Sequence, residues 1–179
     1  FVLIRAGLHF SEVGDLAGAV RLFEEAAALA GQLGDRRSEA QARGNLGYNY
    51  VLLGLYSLAE ATLERARQLT AAIGERRMRA YHLLNLGLAH VQSGSAGEAH
   101  QLLGEAVAEL EVMGDTFGQA AGQLYLGLAL EHEGEWATAA QRFGAAEELF
   151  SSRGMDGFAV TALAGQARAA LALSHAHTA

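Results

Sequence analysis

The chain contains no cysteine, no proline and no lysine. Without cysteine there is no disulfide framework and no thiolate metal site, and the expected compartment is cytoplasmic. All 13 basic residues are arginine, which reads as codon bias towards GC-rich sequence. No apolar run approaches the roughly 18–20 residues needed to span a bilayer, so no membrane association is expected. There is no signal peptide and no initiator methionine. A start at Phe1 inside an apparent helix suggests a piece of a longer protein. Catalytic signatures are missing too: there is no Ser–His–acid arrangement, no P-loop and no dinucleotide glycine fingerprint. The expectation is a protein that is not an enzyme and carries no cofactor and no metal.

What is present is apolar and acidic. Hydrophobic residues make up 51% of the 179 and charged residues 18%, enough to bury a core and too ordered a composition for disorder. The net charge of −7 argues against nucleic-acid binding, which rests on phosphate neutralisation. The charge is uneven. Residues 1–90 hold ten arginines against nine acids, and residues 91–179 hold three against eleven.

A forty-residue period organises everything else. Gly7, Gly47, Gly87 and Gly127 are 40 apart, as are Gly14, Gly54, Gly94 and Gly134, and Gly34, Gly74, Gly114 and Gly154. Ala19, Ala59, Ala99 and Ala139 keep the step, with Ala26, Ala66, Ala106 and Ala146. Between each alanine pair stands a large apolar residue: Phe23, Leu63, Leu103 and Phe143. Such self-similarity marks a repeat architecture.

Within each unit apolar residues recur at steps of three and four, the helical period. Two glycine columns mark helix ends, where positive φ is wanted. Each unit is therefore helix A, turn, helix B, turn. The spacing predicts helices over 2–13, 16–33, 36–53, 56–73, 76–93, 96–113, 116–133, 136–153 and 157–174. Asp15, Asp35, Asp115 and Thr116 fall at helix starts, where short acceptors suit the free N–H groups. The Ala–large–Ala stripe of helix B suits close helix packing, and the Gly7 column of helix A is expected to admit a nearby helix B backbone. Leu46, Leu86 and Leu126 are expected core residues.

These columns resemble the tetratricopeptide repeat (TPR). The second unit reads Leu46, Gly47, Tyr50, Gly54, Tyr56, Ala59, Leu63, Ala66, and the fourth Leu126, Gly127, Leu130, Gly134, Trp136, Ala139, Phe143, Ala146. The common TPR has 34 residues and a proline closing helix B. This chain has 40 and none, which means longer helices. The variant is similar to the arrays of kinesin light chains and of bacterial multidomain regulators. The resemblance implies an all-α, right-handed α-solenoid: one domain over 1–179, with repeats at about 1–39, 40–79, 80–119 and 120–159 and a terminal capping helix at about 157–174.

The resemblance also implies a concave face lined by A helices. Carried over residue by residue, the partner-facing positions form four ladders. The first is Asn45, Asn85 and Tyr125, and the second Tyr48, Leu88 and Leu128. The third is Gln41, Tyr81 and Ala121, and the fourth Leu52, Gln92 and His132. A side-chain amide donates and accepts, which suits a peptide bond, so Asn45 and Asn85 either hold a partner backbone or simply tie down helices and face water. The tyrosines and leucines are groove wall or ordinary packing. Arg36, Arg37, Arg76 and Arg77, with Arg79 and Arg43 nearby, gather at A-helix starts, against the dipole. They form an anion-binding edge or pair with Asp35, Glu39 and Glu75. "EHEGE" at 131–135 is a polar helix end, and His175 and His177 lie in a tail.

The functional expectation is a protein–protein interaction module that captures a peptide or helical segment in its groove. The partner is a separate protein or another domain of the same parent chain. The alternative is a regulatory or oligomerisation segment of a larger ATP-dependent regulator or signalling enzyme, for which a homo-oligomer is compatible. A small-molecule sensor would need a closed pocket.

Overall fold

The computed structural model describes residues 1–176. Among them are nine α-helices. They are α1 (Val2–Glu12), α2 (Leu16–Gln32), α3 (Arg36–Leu52), α4 (Tyr56–Ile73), α5 (Arg76–Ser93), α6 (Ala96–Val112), α7 (Thr116–His132), α8 (Trp136–Ser151) and α9 (Asp156–Ala176). The predicted helices are all present, with ends within two residues. His177 lies outside the described residues.

The turns are built alike. Gly34 adopts φ +71°, and the next residue's N–H reaches back to the Ala30 carbonyl at 2.9 Å, satisfying a helix-end carbonyl. That next residue is Asp35, whose carboxylate accepts from Ser38 N at 3.0 Å. One residue thus closes α2 and caps α3. Asp15 and Asp115 cap α2 and α7 through Gly18 N and Gly118 N.

Packing follows the columns. Phe23, Leu63, Leu103 and Phe143 are fully buried, flanked by the two alanine columns. Each inserts against the glycine of its own helix A. A Cβ on Gly7, Gly47, Gly87 or Gly127 would lie 2.7, 2.4, 2.6 and 2.6 Å from those side chains. This refines the sequence expectation: the glycine makes room for the large side chain of helix B, not for its backbone. Leu46, Leu86 and Leu126 are buried as expected.

Consecutive helices pack along the whole chain. The A helices also approach one another closely, α1 with α3, α3 with α5, α5 with α7 and α7 with α9, whereas among the described residues no two B helices come as close. Closer spacing on the A side bends the array towards it. The chain is therefore an all-α solenoid with α1, α3, α5, α7 and α9 on the inner face and α2, α4, α6 and α8 outside. Among the described residues no helix is long and apolar enough to cross a membrane.

Candidate binding groove

The inner face of α3, α5 and α7 holds a cavity of about 530 Å³, within the range of ligand and peptide sites. Asn45, Asn85 and Tyr125 line it, with Tyr48, Leu88 and Leu128 one turn further along. The first two ladders thus share one space, and Tyr81 and Ala121 of the third join it. Its far wall is aromatic and absent from the sequence reading: Phe117, Phe150 and Phe158 meet with ring centroids 5.2–6.0 Å apart. Leu84 and Leu124 complete the apolar lining.

The cavity is deep because the array curves. Leu88 is only 7% exposed despite its inward position. Tyr48 and Tyr125, from helices either side of α5, come near enough for charge on one phenol to oppose ionisation of the other. Burial is the main cause that pushes Tyr125 up from the ordinary tyrosine range, and burial also raises Tyr48. Both phenols stay neutral in any ordinary medium, as hydroxyl donors set in an apolar wall.

A second recess of about 310 Å³ adjoins the first, sharing Asn45, Tyr81 and Asn85. Gln41 lies here, one turn before Asn45, beside Arg37, Glu75 and Arg77. The carboxamides of Gln41, Asn45 and Asn85 are half-buried and make no hydrogen bond with other described residues, whereas Asn49, fully buried, donates to the Asn45 carbonyl at 2.9 Å. His82 forms part of the same recess. Its ring is 3% exposed, and burial pushes it down to about 4.

The arginine edge is divided. Arg37 pairs with Glu75. Arg77 approaches Asp115 at 3.4 Å, and that carboxylate also accepts from Tyr81 Oη at 3.1 Å and Gly118 N at 3.0 Å. Arg79 reaches Glu105 and Glu109 on the outer layer. Arg36 and Arg76 are exposed and have no ion-pair partner among the described residues. The fourth ladder is not brought into the cavity: Leu52, Gln92 and His132 are exposed near the ends of their helices. Glu131 instead holds Arg168 of α9 in a two-pronged pair at 2.7 Å.

No family model and no curated protein matches the chain. Solved structures do. Among them are the nearly identical TPR-like repeats of a candidate kinesin light chain from Podospora anserina, with TM-score 0.72 and 19% identity over 97% of this chain and 86% of that one. The fold is that of a TPR-like helical repeat array, as the column pattern implied.

Proposed function

We propose that the chain is a protein-interaction module, one domain over residues 1–179, that captures an extended segment of a partner along α3, α5 and α7. One observation carries this reading: two carboxamides without internal partners, Asn45 and Asn85, open onto an apolar cavity of about 530 Å³, and a third, Gln41, stands in the recess beside it. An amide that bonds only to water loses little on meeting a peptide group, and gains when the segment's apolar side chains leave water beside it. Asn45 and Asn85 hold the partner backbone, Tyr125 donates its hydroxyl, and Tyr48, Leu88, Leu128 and Tyr81 contact side chains. Arg36 and Arg76 supply an edge for an acidic flank, while Arg37 and Arg77 are already neutralised by Glu75 and Asp115. Gln92 and His132 act at the rim. The partner is a separate protein or another part of the parent chain; the acidic C-terminal half supports neither nucleic acid nor an anionic membrane as a ligand.

A displayed library of random peptides, selected against the chain, provides the probe. The best binder is titrated calorimetrically against the parent and against Asn45→Ala with Asn85→Ala. Loss of the two amides is expected to weaken it by about tenfold or more. Unchanged affinity, with helicity intact, would overturn the reading.

A further inference from the structure

Four leucines stand on the surface where later repeats are polar. Leu52, Leu53, Leu55 and Leu58 surround the Gly54 turn between α3 and α4 and are 42–52% exposed. Forty residues on, the same columns hold Gln92, Ser93, Ser95 and Glu98, and the next repeat has His132, Glu133, Glu135 and Thr138. The fold thus requires no apolar residue at these positions. Nor does an end of the chain bare them, because α1 and α2 precede this repeat and α5 and α6 follow it. Val13, in the column of Leu53, extends the patch onto the first repeat and is 65% exposed. The same edge is acidic. No arginine lies within 9–19, 49–59, 89–99 or 129–139, the stretches around the four A-to-B turns. Glu12 and Asp15 flank Val13 on one side of the leucines. On the other, Glu60 of α4 and Glu98 of α6 approach the His90 ring at 3.8 and 3.4 Å, which sets both carboxylates near the start of α4. Among the described residues none of these four acids pairs with an arginine.

We propose that this edge docks an amphipathic helix of a partner protein, the leucines against its apolar stripe and the acids against lysines or arginines that flank the stripe. The backbone selects a helix over an extended segment. The N–H groups of the turn are already used: Leu53 N donates to Asn49 O at 3.1 Å, Gly54 N to Val51 O at 3.0 Å and Leu55 N to Tyr50 O at 2.9 Å. Leucine side chains offer no hydrogen bond. An extended segment laid on them would bury unpaired peptide groups, whereas a helix satisfies its own. The acids select a positive flank. An anionic lipid surface would meet four carboxylates and no arginine. A second copy presenting the same edge would set acids against acids. The leucines lie outside the lining of the inner cavity, so this docking stands or falls separately from groove binding.

The probe is a fluorescein-labelled peptide of leucine and lysine, about 14 residues long, with leucines at steps of three and four. One control peptide spreads the same leucines round the helix, and another replaces lysine by glutamate. In fluorescence anisotropy the amphipathic basic peptide is expected to bind the chain about tenfold or more tightly than either control. Leu53→Ser with Leu58→Glu is expected to weaken it by about tenfold or more. These substitutions install the residues of the third repeat, so helicity should hold. The added carboxylate would by itself strengthen binding to lysine, so the loss reports the leucines. Asn45→Ala with Asn85→Ala should leave this binding unchanged. No binding up to about 100 µM, equal affinity for the three peptides, indifference to the leucine substitutions, or loss on the groove substitutions would each overturn the proposal. Leucine-dependent binding of phosphatidylserine vesicles, or leucine-dependent self-association in sedimentation equilibrium, would overturn it in favour of a lipid surface or a second copy.

Discussion

Gly44 of α3 and His82 of α5 share one space: a Cβ on the glycine would lie 2.4 Å from Nε2 of the imidazole. The next interface reverses the roles. There Leu84 of α5 occupies Gly44's column and points at Gly122 of α7, where a Cβ would lie 3.2 Å from its Cδ2. At these two junctions, α3 with α5 and α5 with α7, one large side chain therefore meets one glycine, on alternating columns, with Val107 of α6 also crowding Gly122 at 2.2 Å. Gly44→Ala should destabilise the chain by about 1–3 kcal/mol through overpacking. His82→Ala in the same chain should recover part of that loss. Urea unfolding of the four members of the double-mutant cycle measures the coupling.

His82 also sets an acid limit. Burial holds its folded value at about 4 against an ordinary 6.5. Between those values the unfolded chain takes up a proton that the folded chain refuses. The contribution is therefore complete above about 6.5 and is lost as pH falls towards 4, by about 3 kcal/mol in all. Comparing unfolding free energies at pH 7 and 5 for the parent and for His82→Gln isolates it. A slope that survives the substitution assigns the acid sensitivity to other groups.

Glycines of the same helical repeat should respond with opposite sign. Gly87 faces Leu103 at 2.6 Å, whereas Gly104, inside α6, has open space around its Cβ position. Gly104→Ala removes only unfolded-state freedom and should stabilise by about 0.5–1 kcal/mol. Gly87→Ala should destabilise. Thermal melts of the two variants suffice to see the difference.

Asp115 carries more than the other caps. Asp15 and Asp35 bond within their own helix starts, Asp35 to Ser38 and Arg37, whereas Asp115 adds Tyr81 and Arg77 of the preceding inner helix. Asp115→Ala should cost about 1 kcal/mol more than Asp35→Ala. Tyr81→Phe should remove part of the excess, which denaturant midpoints of the single and double variants will show.

The forty-residue period made the helices, their glycine turns and their buried columns readable, because each is enforced once per unit by backbone geometry or packing. The inward ladders were readable for the same reason at Asn45, Asn85, Tyr125, Tyr48, Leu88 and Leu128. Phe117, Phe150 and Phe158 were not. Phe117 stands in the column of Arg37 and Arg77, so the register itself suggested an exposed polar position. The aromatic cluster forms where that column changes chemistry, and such a break inside a column is the signal that marks it. Leu52, Gln92 and His132 of the fourth ladder lie outside the cavity lining, because a helical position can keep its direction and still lie beyond the depth of the cavity. Gly44 and His82 were invisible as a pair, since neither recurs at 40 residues.

The contact pattern has one further consequence. Among the described residues helices meet only their neighbours and next-but-one neighbours, and no contact ties the first repeat to the last. Duplicating or deleting a whole forty-residue unit keeps the glycine turns and the alanine columns in register and leaves one new junction to be packed, so the molecule can change length by recombination with most of its core already in place.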